Sequence, residues 1–137
     1  MLTQCLTFLN NNYYYSDSFL VYDFTGLRDR LDRLETFFPK DTLHAIAVKS
    51  NPLMGVLTYL NSQGFGAECA SWGECNLAIN AGIPVDRIVY DSPVKTEEEL
   101  RSALLKGVYI NCDSLYEWSQ LKSILSQLNS KSSIGLR

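Results

Sequence analysis

The sequence predicts an α/β fold built from consecutive strand–helix units, and three observations predict it. Short apolar runs recur about 20–26 residues apart, the length of one βα unit in a parallel sheet. Most of these runs lead into a residue pattern that starts a helix. Glycines stand where three of those helices should stop, at Gly64, Gly82 and Gly107, as left-handed C-terminal caps favour.

In chain order, residues 1–18, with their Asn-Asn-Asn-Tyr-Tyr-Tyr run, read as a poorly structured lead-in. Residues 19–22 read as a short strand and residues 23–38 as a helix. In that helix Leu27, Leu31, Leu34 and Phe38 recur at helical spacing, Arg28, Asp29, Arg30, Asp32 and Arg33 occupy the other face, and Pro39 ends it. The repeating units follow. Residues 45–49 are a strand and 52–63 a helix; 67–70 a strand and 72–81 a helix. Residues 87–91 are a strand and 96–106 a helix; 108–111 a strand and 115–128 a helix. Residues 134–137 open a further strand. The strands are apolar without clean alternation, which suits strands covered on both faces.

The junctions carry physical reasons of their own. Asn51 before Pro52 places a capping side chain ahead of a proline at the first helical position. Ser71 with Glu74, Thr96 with Glu99, and Ser114 with Glu117 all have capping-box spacing, in which each side chain satisfies a backbone N–H at the other position. Glu97, Glu98 and Glu99 add negative charge at the positive end of a helix dipole. Regular repetition is compatible with both a doubly wound open sheet and a (β/α)8 barrel. A barrel needs eight units, and this sequence holds four with the start of a fifth.

Composition narrows the function. With 46% hydrophobic residues and a net charge of −3, the chain can build a core and is not a disordered polymer. Its mild acidity argues against nucleic-acid binding, because no basic stripe could replace phosphate counterions. No apolar run approaches the roughly 20 residues of a membrane span. The single histidine, His44, excludes two-histidine zinc sites and leaves a Ser-His-Asp triad without support. Cys5, Cys69, Cys75 and Cys112 form no CxxC pair, and the N-terminus lacks the features of a secretory signal. Reduced, mostly buried thiols in a cytoplasmic protein are therefore expected.

Ligands of parallel α/β folds sit at the C-terminal ends of the strands. Here those ends are polar: Lys49-Ser50-Asn51, Glu68 to Ser71, Asp91-Ser92, Asn111 to Asp113, and Arg137. Strand ends and helix caps are often polar for structural reasons alone. Lys49 is the sharpest candidate. It closes the apolar strand Ala45-Ile-Ala-Val, where desolvation would disfavour the ammonium form and free the amine as a nucleophile for carbonyls. The alternative is a lysine whose head snorkels to water.

The run Ala47-Val-Lys-Ser-Asn-Pro52 resembles the cofactor-lysine motif of the fold-type III pyridoxal-phosphate decarboxylases, the ornithine/diaminopimelate/arginine decarboxylase group. Further segments match in order: 19–23, 64–74, 88–95, 108–114 and 134–137. The resemblance implies an alanine-racemase-like (β/α)8 barrel, with residues 19–137 its N-terminal portion and a β-domain beyond it. It implies a pyridoxal 5'-phosphate-dependent carboxy-lyase acting on an amino acid, most like the diaminopimelate branch, with Lys49 forming the internal aldimine. Glu68 falls where the family usually carries an aspartate near the cofactor, and Arg137 on an arginine that pairs with that acid. Glu68 is one methylene longer than the usual residue, and Ile46 stands where an aromatic is common. The family's phosphate-binding glycines, ring-nitrogen acid and specificity residues have no counterpart in these 137 residues. The family also forms its active sites between two subunits, so the resemblance implies a homodimer for the full-length enzyme. Two alternatives stand beside this reading. One is a truncated, non-catalytic chain acting through chain–chain association. The other is an alanine-racemase-type enzyme, disfavoured because Asn51 is followed by Pro-Leu-Met rather than Ala-Tyr-Gly-His.

Overall fold

A computed structural model describes residues 2–12 and 20–137, in two compact units, Met1–Thr42 and Leu43–Arg137. The first unit holds helices α1 (Leu2–Asn12) and α2 (Phe24–Glu35). Helix α1 replaces the unstructured lead-in expected for its residues. Cys5 and Leu9, four apart on one face, are the partly buried positions among its described side chains. Residues 13–18 of the lead-in, and Phe19, lie outside the described residues. The strand expected over 19–22 does not form in its described part: residues 20–22 join no ladder and Leu20 is 78% exposed. In α2, Asp23 caps the helix by accepting from the Gly26 N–H at 3.0 Å. Leu31 is buried, and Arg28 ion-pairs along the polar face with Asp32.

The second unit is a five-stranded parallel sheet in the order β1-β2-β3-β4-β5. The strands are β1 (Ala45–Ala47), β2 (Gly66–Cys69), β3 (Ile88–Tyr90), β4 (Tyr109–Cys112) and β5 (Ile134–Leu136). Helices α3 (Met54–Ser62), α4 (Trp72–Asn80), α5 (Glu97–Lys106) and α6 (Leu115–Leu125) connect them. Every strand lies beside its sequence neighbour. A doubly wound sheet reverses its strand order at a switch point, whereas a barrel does not. The strand order therefore assigns the sheet to a (β/α)8 barrel, of which it forms a partial run.

The core lies between the sheet and its helices. Ala67, Cys69, Ile88, Tyr90, Ile110 and Cys112 pack in one cluster with Cys75 and Ala78 of α4, Leu100, Ala103 and Leu104 of α5, and Leu121 and Ile124 of α6. Alternate strand residues point to the other face. There Ala47, Glu68, Val89, Asn111 and Gly135 are only partly buried, and Tyr109 is exposed. The central strands β3 and β4 thus alternate after all, because helices seal only one face of this run.

Two glycines fit close approaches. A Cβ on Gly66 would overlap the backbone carbonyl of Arg87, and one on Gly135 would lie 2.5 Å from Asn111 Oδ1. Gly64, Gly82 and Gly107 all adopt positive φ, at 83°, 85° and 83°, as the helix stops required.

The helix starts differ in detail from their expected form. The capping box is complete only at Thr96, whose side chain accepts from the Glu99 N–H while Glu99 accepts from the Thr96 N–H. At Ser71 the Glu74 carboxylate reaches past the cap to the Ala70 N–H at 2.7 Å. At Ser114 the hydroxyl caps the Glu117 N–H, but the Glu117 carboxylate turns elsewhere. Helix α3 begins at Met54 with Leu53 as its N-cap, not at Pro52. Asn51 is extended, at φ −162° and ψ 92°, as a residue before proline prefers. Its side chain accepts from the Leu53 N–H at 3.3 Å, and the helix starts only beyond it.

Candidate functional site

Strand register aligns one rim of the sheet. Ala47 pairs with Glu68, Cys69 with Tyr90, Tyr90 with Ile110, and Cys112 with Leu136. Lys49, Glu68, Asp91, Asp113 and Arg137 stand at or just beyond these positions, so all five belong to the C-terminal end of the sheet.

Lys49 does not end a strand. The ladder stops at Ala47, and Val48–Ser50 forms a 3-10 turn. The Asn51 N–H closes it onto the Val48 carbonyl at 3.0 Å, and the Ser50 hydroxyl donates to the Ala47 carbonyl at 2.7 Å. Val48, 1% exposed, anchors the turn in the core, while Lys49 is exposed. The desolvated setting expected from its apolar strand is therefore absent. The Lys49 amine instead makes no hydrogen bond or ion pair among the described residues.

Glu68 is half-buried on the sheet face turned away from the helices. Arg137 extends the last ladder, its N–H donating to the Cys112 carbonyl at 3.0 Å. Its guanidinium is gripped from two loops: Nη1 lies 3.0 Å from Asp91 Oδ1 and Nε 3.5 Å from Asp113 Oδ1. The expected pairing of Arg137 with Glu68 is not what the structure contains. Two strands separate β2 from β5, a lateral offset of roughly 14 Å along a sheet of ~4.8 Å spacing. The carboxylates following β3 and β4 are nearer neighbours of β5.

Cys69, the last residue of β2, is fully buried. Hydrogen bonding with Cys75, then burial itself, pushes its thiol well above the ordinary range, so it is inert. Cys69, Cys75 and Cys112 are buried and free, and Cys5 is free and partly buried.

Sequence reasoning missed the ion pair beneath the rim. Lys95 Nζ lies 2.8 Å from Glu117 Oε1, with the two side chains 0% and 6% exposed. The capping-box spacing had already assigned Glu117 a local role, and nothing in sequence spacing links it to a lysine 22 residues upstream. Asp91 and Asp113 were legible as polar strand ends, but their joint hold on Arg137 was not.

The family model described as "Pyridoxal-dependent decarboxylase, pyridoxal binding domain" matches residues 25–137. The chain belongs to this family. It is 39% identical over 97 residues to diaminopimelate decarboxylase of Zymomonas mobilis, covering 70% of this chain and 23% of that one. It is 34% identical over 125 residues to diaminopimelate decarboxylase of Campylobacter jejuni, covering 90% of this chain and 31% of that one. Among solved structures, it superposes on diaminopimelate decarboxylase from Helicobacter pylori complexed with L-lysine with a TM-score of 0.81 and 26% identity. That match covers 91% of this chain and 33% of the other. The chain thus spans about a quarter to a third of the length of these relatives. Among the described residues no helix is long and apolar enough to cross a membrane.

Proposed function

We propose that the chain is the N-terminal, cofactor-lysine-bearing part of a pyridoxal 5'-phosphate-dependent amino-acid decarboxylase, with diaminopimelate-type substrates the favoured class. The observation that carries this reading is Lys49. It occupies the family's lysine motif, stands at the C-terminal rim of β1, and keeps its amine exposed and unpaired among the described residues.

The residues present fit the cofactor. An accessible amine is the group an aldehyde carbon requires for covalent attachment. Arg137 uses Nε and Nη1 on its two aspartates, which leaves Nη2 donors for oxygens of a bound anion. Glu68 brings a carboxylate to the same end of the sheet. When bound, pyridoxal phosphate supplies an electron-withdrawing ring that takes up the charge left as carbon dioxide departs. The chain's own residues position that chemistry: Lys49 tethers, Arg137 orients, and Glu68 adds negative charge near the tether. The groups that hold the phosphate and protonate the ring belong to parts of the family fold that these residues do not supply. In the full-length enzyme we propose a homodimer with sites between subunits, as the family resemblance implies. A cytoplasmic setting is supported by the free thiols at Cys69, Cys75 and Cys112.

The test is an absorbance titration with pyridoxal phosphate, comparing wild type with Lys49→Ala. A visible band in wild type that the variant lacks supports the assignment. Equal bands remove Lys49 from it.

A further inference from the structure

Lys95 is the most deeply buried cation among the described residues, and the chemistry proposed above does not use it. Its side chain is 0% exposed. Its ammonium donates to the Ser92 carbonyl at 2.7 Å, the Asn111 carbonyl at 2.6 Å and Glu117 Oε1 at 2.8 Å. All three of its donors are thereby satisfied. It also lies 5.4 Å from the centre of the Tyr90 ring. Buried ion pairs seldom stabilise a fold better than an apolar pair of similar volume, so stability alone is a poor account of this one.

Its acceptors say what it holds. Ser92 belongs to the loop after β3, Asn111 to β4 and Glu117 to the first turn of α6. Asp91 immediately precedes Ser92, and Asp113 lies two residues beyond Asn111. These are the two carboxylates that grip Arg137. We propose that the Lys95–Glu117 pair is a positioning device for the cofactor rim. It fixes the ends of β3 and β4 so that Asp91 and Asp113 hold the Arg137 guanidinium in one orientation. Lys95 and Glu117 are both buried beneath the rim, so in this device they act through Arg137. The functional significance rests on the reading of this rim as the pyridoxal-phosphate site, but the mechanical link does not.

The experiment uses the whole 137-residue chain without cofactor and measures hydrogen exchange at the Arg137 guanidinium N–H groups by nitrogen-15 NMR. Lys95→Met alone would leave a buried carboxylate unpaired and could unfold the chain. The informative variants are therefore the Lys95→Met/Glu117→Leu double, which removes both charges, and Glu117→Gln, which leaves Lys95 its two carbonyls. Asp91→Ala/Asp113→Ala, which removes both acceptors, gives the rate for a released guanidinium. The device predicts a folded amide spectrum in the double variant with guanidinium exchange at least roughly fivefold faster, approaching the released rate, and a smaller rise in Glu117→Gln. Exchange within about twofold of wild type, in whichever of the two variants folds, overturns it. A chain that forms no Lys49 adduct with pyridoxal phosphate would refute the cofactor reading separately, while the exchange comparison would still decide the link.

Discussion

Arg137 Nη1 donates to Asp91 Oδ1 at 3.0 Å, tying together residues 46 apart in the sequence. With Nε lying 3.5 Å from Asp113, the guanidinium bridges two loops that a lysine ammonium could not bridge in the same geometry. The Arg137 side chain is 51% exposed, so Arg137→Lys should change thermal stability by less than ~1 kcal/mol. Pyridoxal-phosphate affinity should nevertheless fall roughly tenfold, the effect of losing about one charge-assisted hydrogen bond. Thermal unfolding checks the first half and titration calorimetry the second, and unchanged affinity would remove Arg137 from the cofactor's contacts.

Gly66 and Gly55 make opposite predictions for the same substitution. At Gly66 an alanine Cβ meets the Arg87 backbone, which cannot move aside without opening the β2–β3 ladder. Gly66→Ala should destabilise by ~1–3 kcal/mol. At Gly55, in the first turn of α3, a Cβ meets nothing within 4 Å. Gly55→Ala should stabilise by ~0.5 kcal/mol through helix propensity. Urea denaturation of both variants reads the difference, and effects of the same sign would contradict the packing described.

Tyr90 gives a pH signature. Burial pushes its phenol above the ordinary value of 10, and the Glu99 carboxylate adds to the shift. The folded chain then keeps a proton that the unfolded chain releases, so stability falls as pH rises from about 10 towards the folded value. Below pH 10 both states hold the proton and this contribution is flat. Tyr90→Phe should lose stability less steeply than wild type above pH 10. Parallel pH profiles for the two proteins would show that Tyr90 does not titrate differently on folding.

What the sequence revealed depended on how local the cause was. Apolar runs located β1 to β5, and Ser71, Thr96 and Ser114 marked their helix starts, because caps act within three residues. The stops at Gly64, Gly82 and Gly107 were readable for the same reason. Residues 20–22 show the limit of a short apolar run, since it cannot reveal whether a partner strand exists. The barrel arrangement followed from family resemblance and was then fixed by strand order, since repeat length fits two architectures. At the proposed site, the motif around Lys49 was readable, but the 3-10 turn that carries it was not. The Lys95–Glu117 pair and the double grip on Arg137 join residues 22 to 46 apart, and only the packed sheet brings them together.

Lys49 is proposed above as the amine that takes the cofactor. The chain has six lysines, of which Lys40, Lys49, Lys106, Lys122 and Lys131 are exposed and Lys95 is buried. Borohydride reduction in the presence of substoichiometric pyridoxal phosphate, followed by peptide mass spectrometry, locates the attachment. A pyridoxyl group predominantly on Lys49, with Lys95 unlabelled, is the expected result. Label spread evenly over the exposed lysines would contradict it.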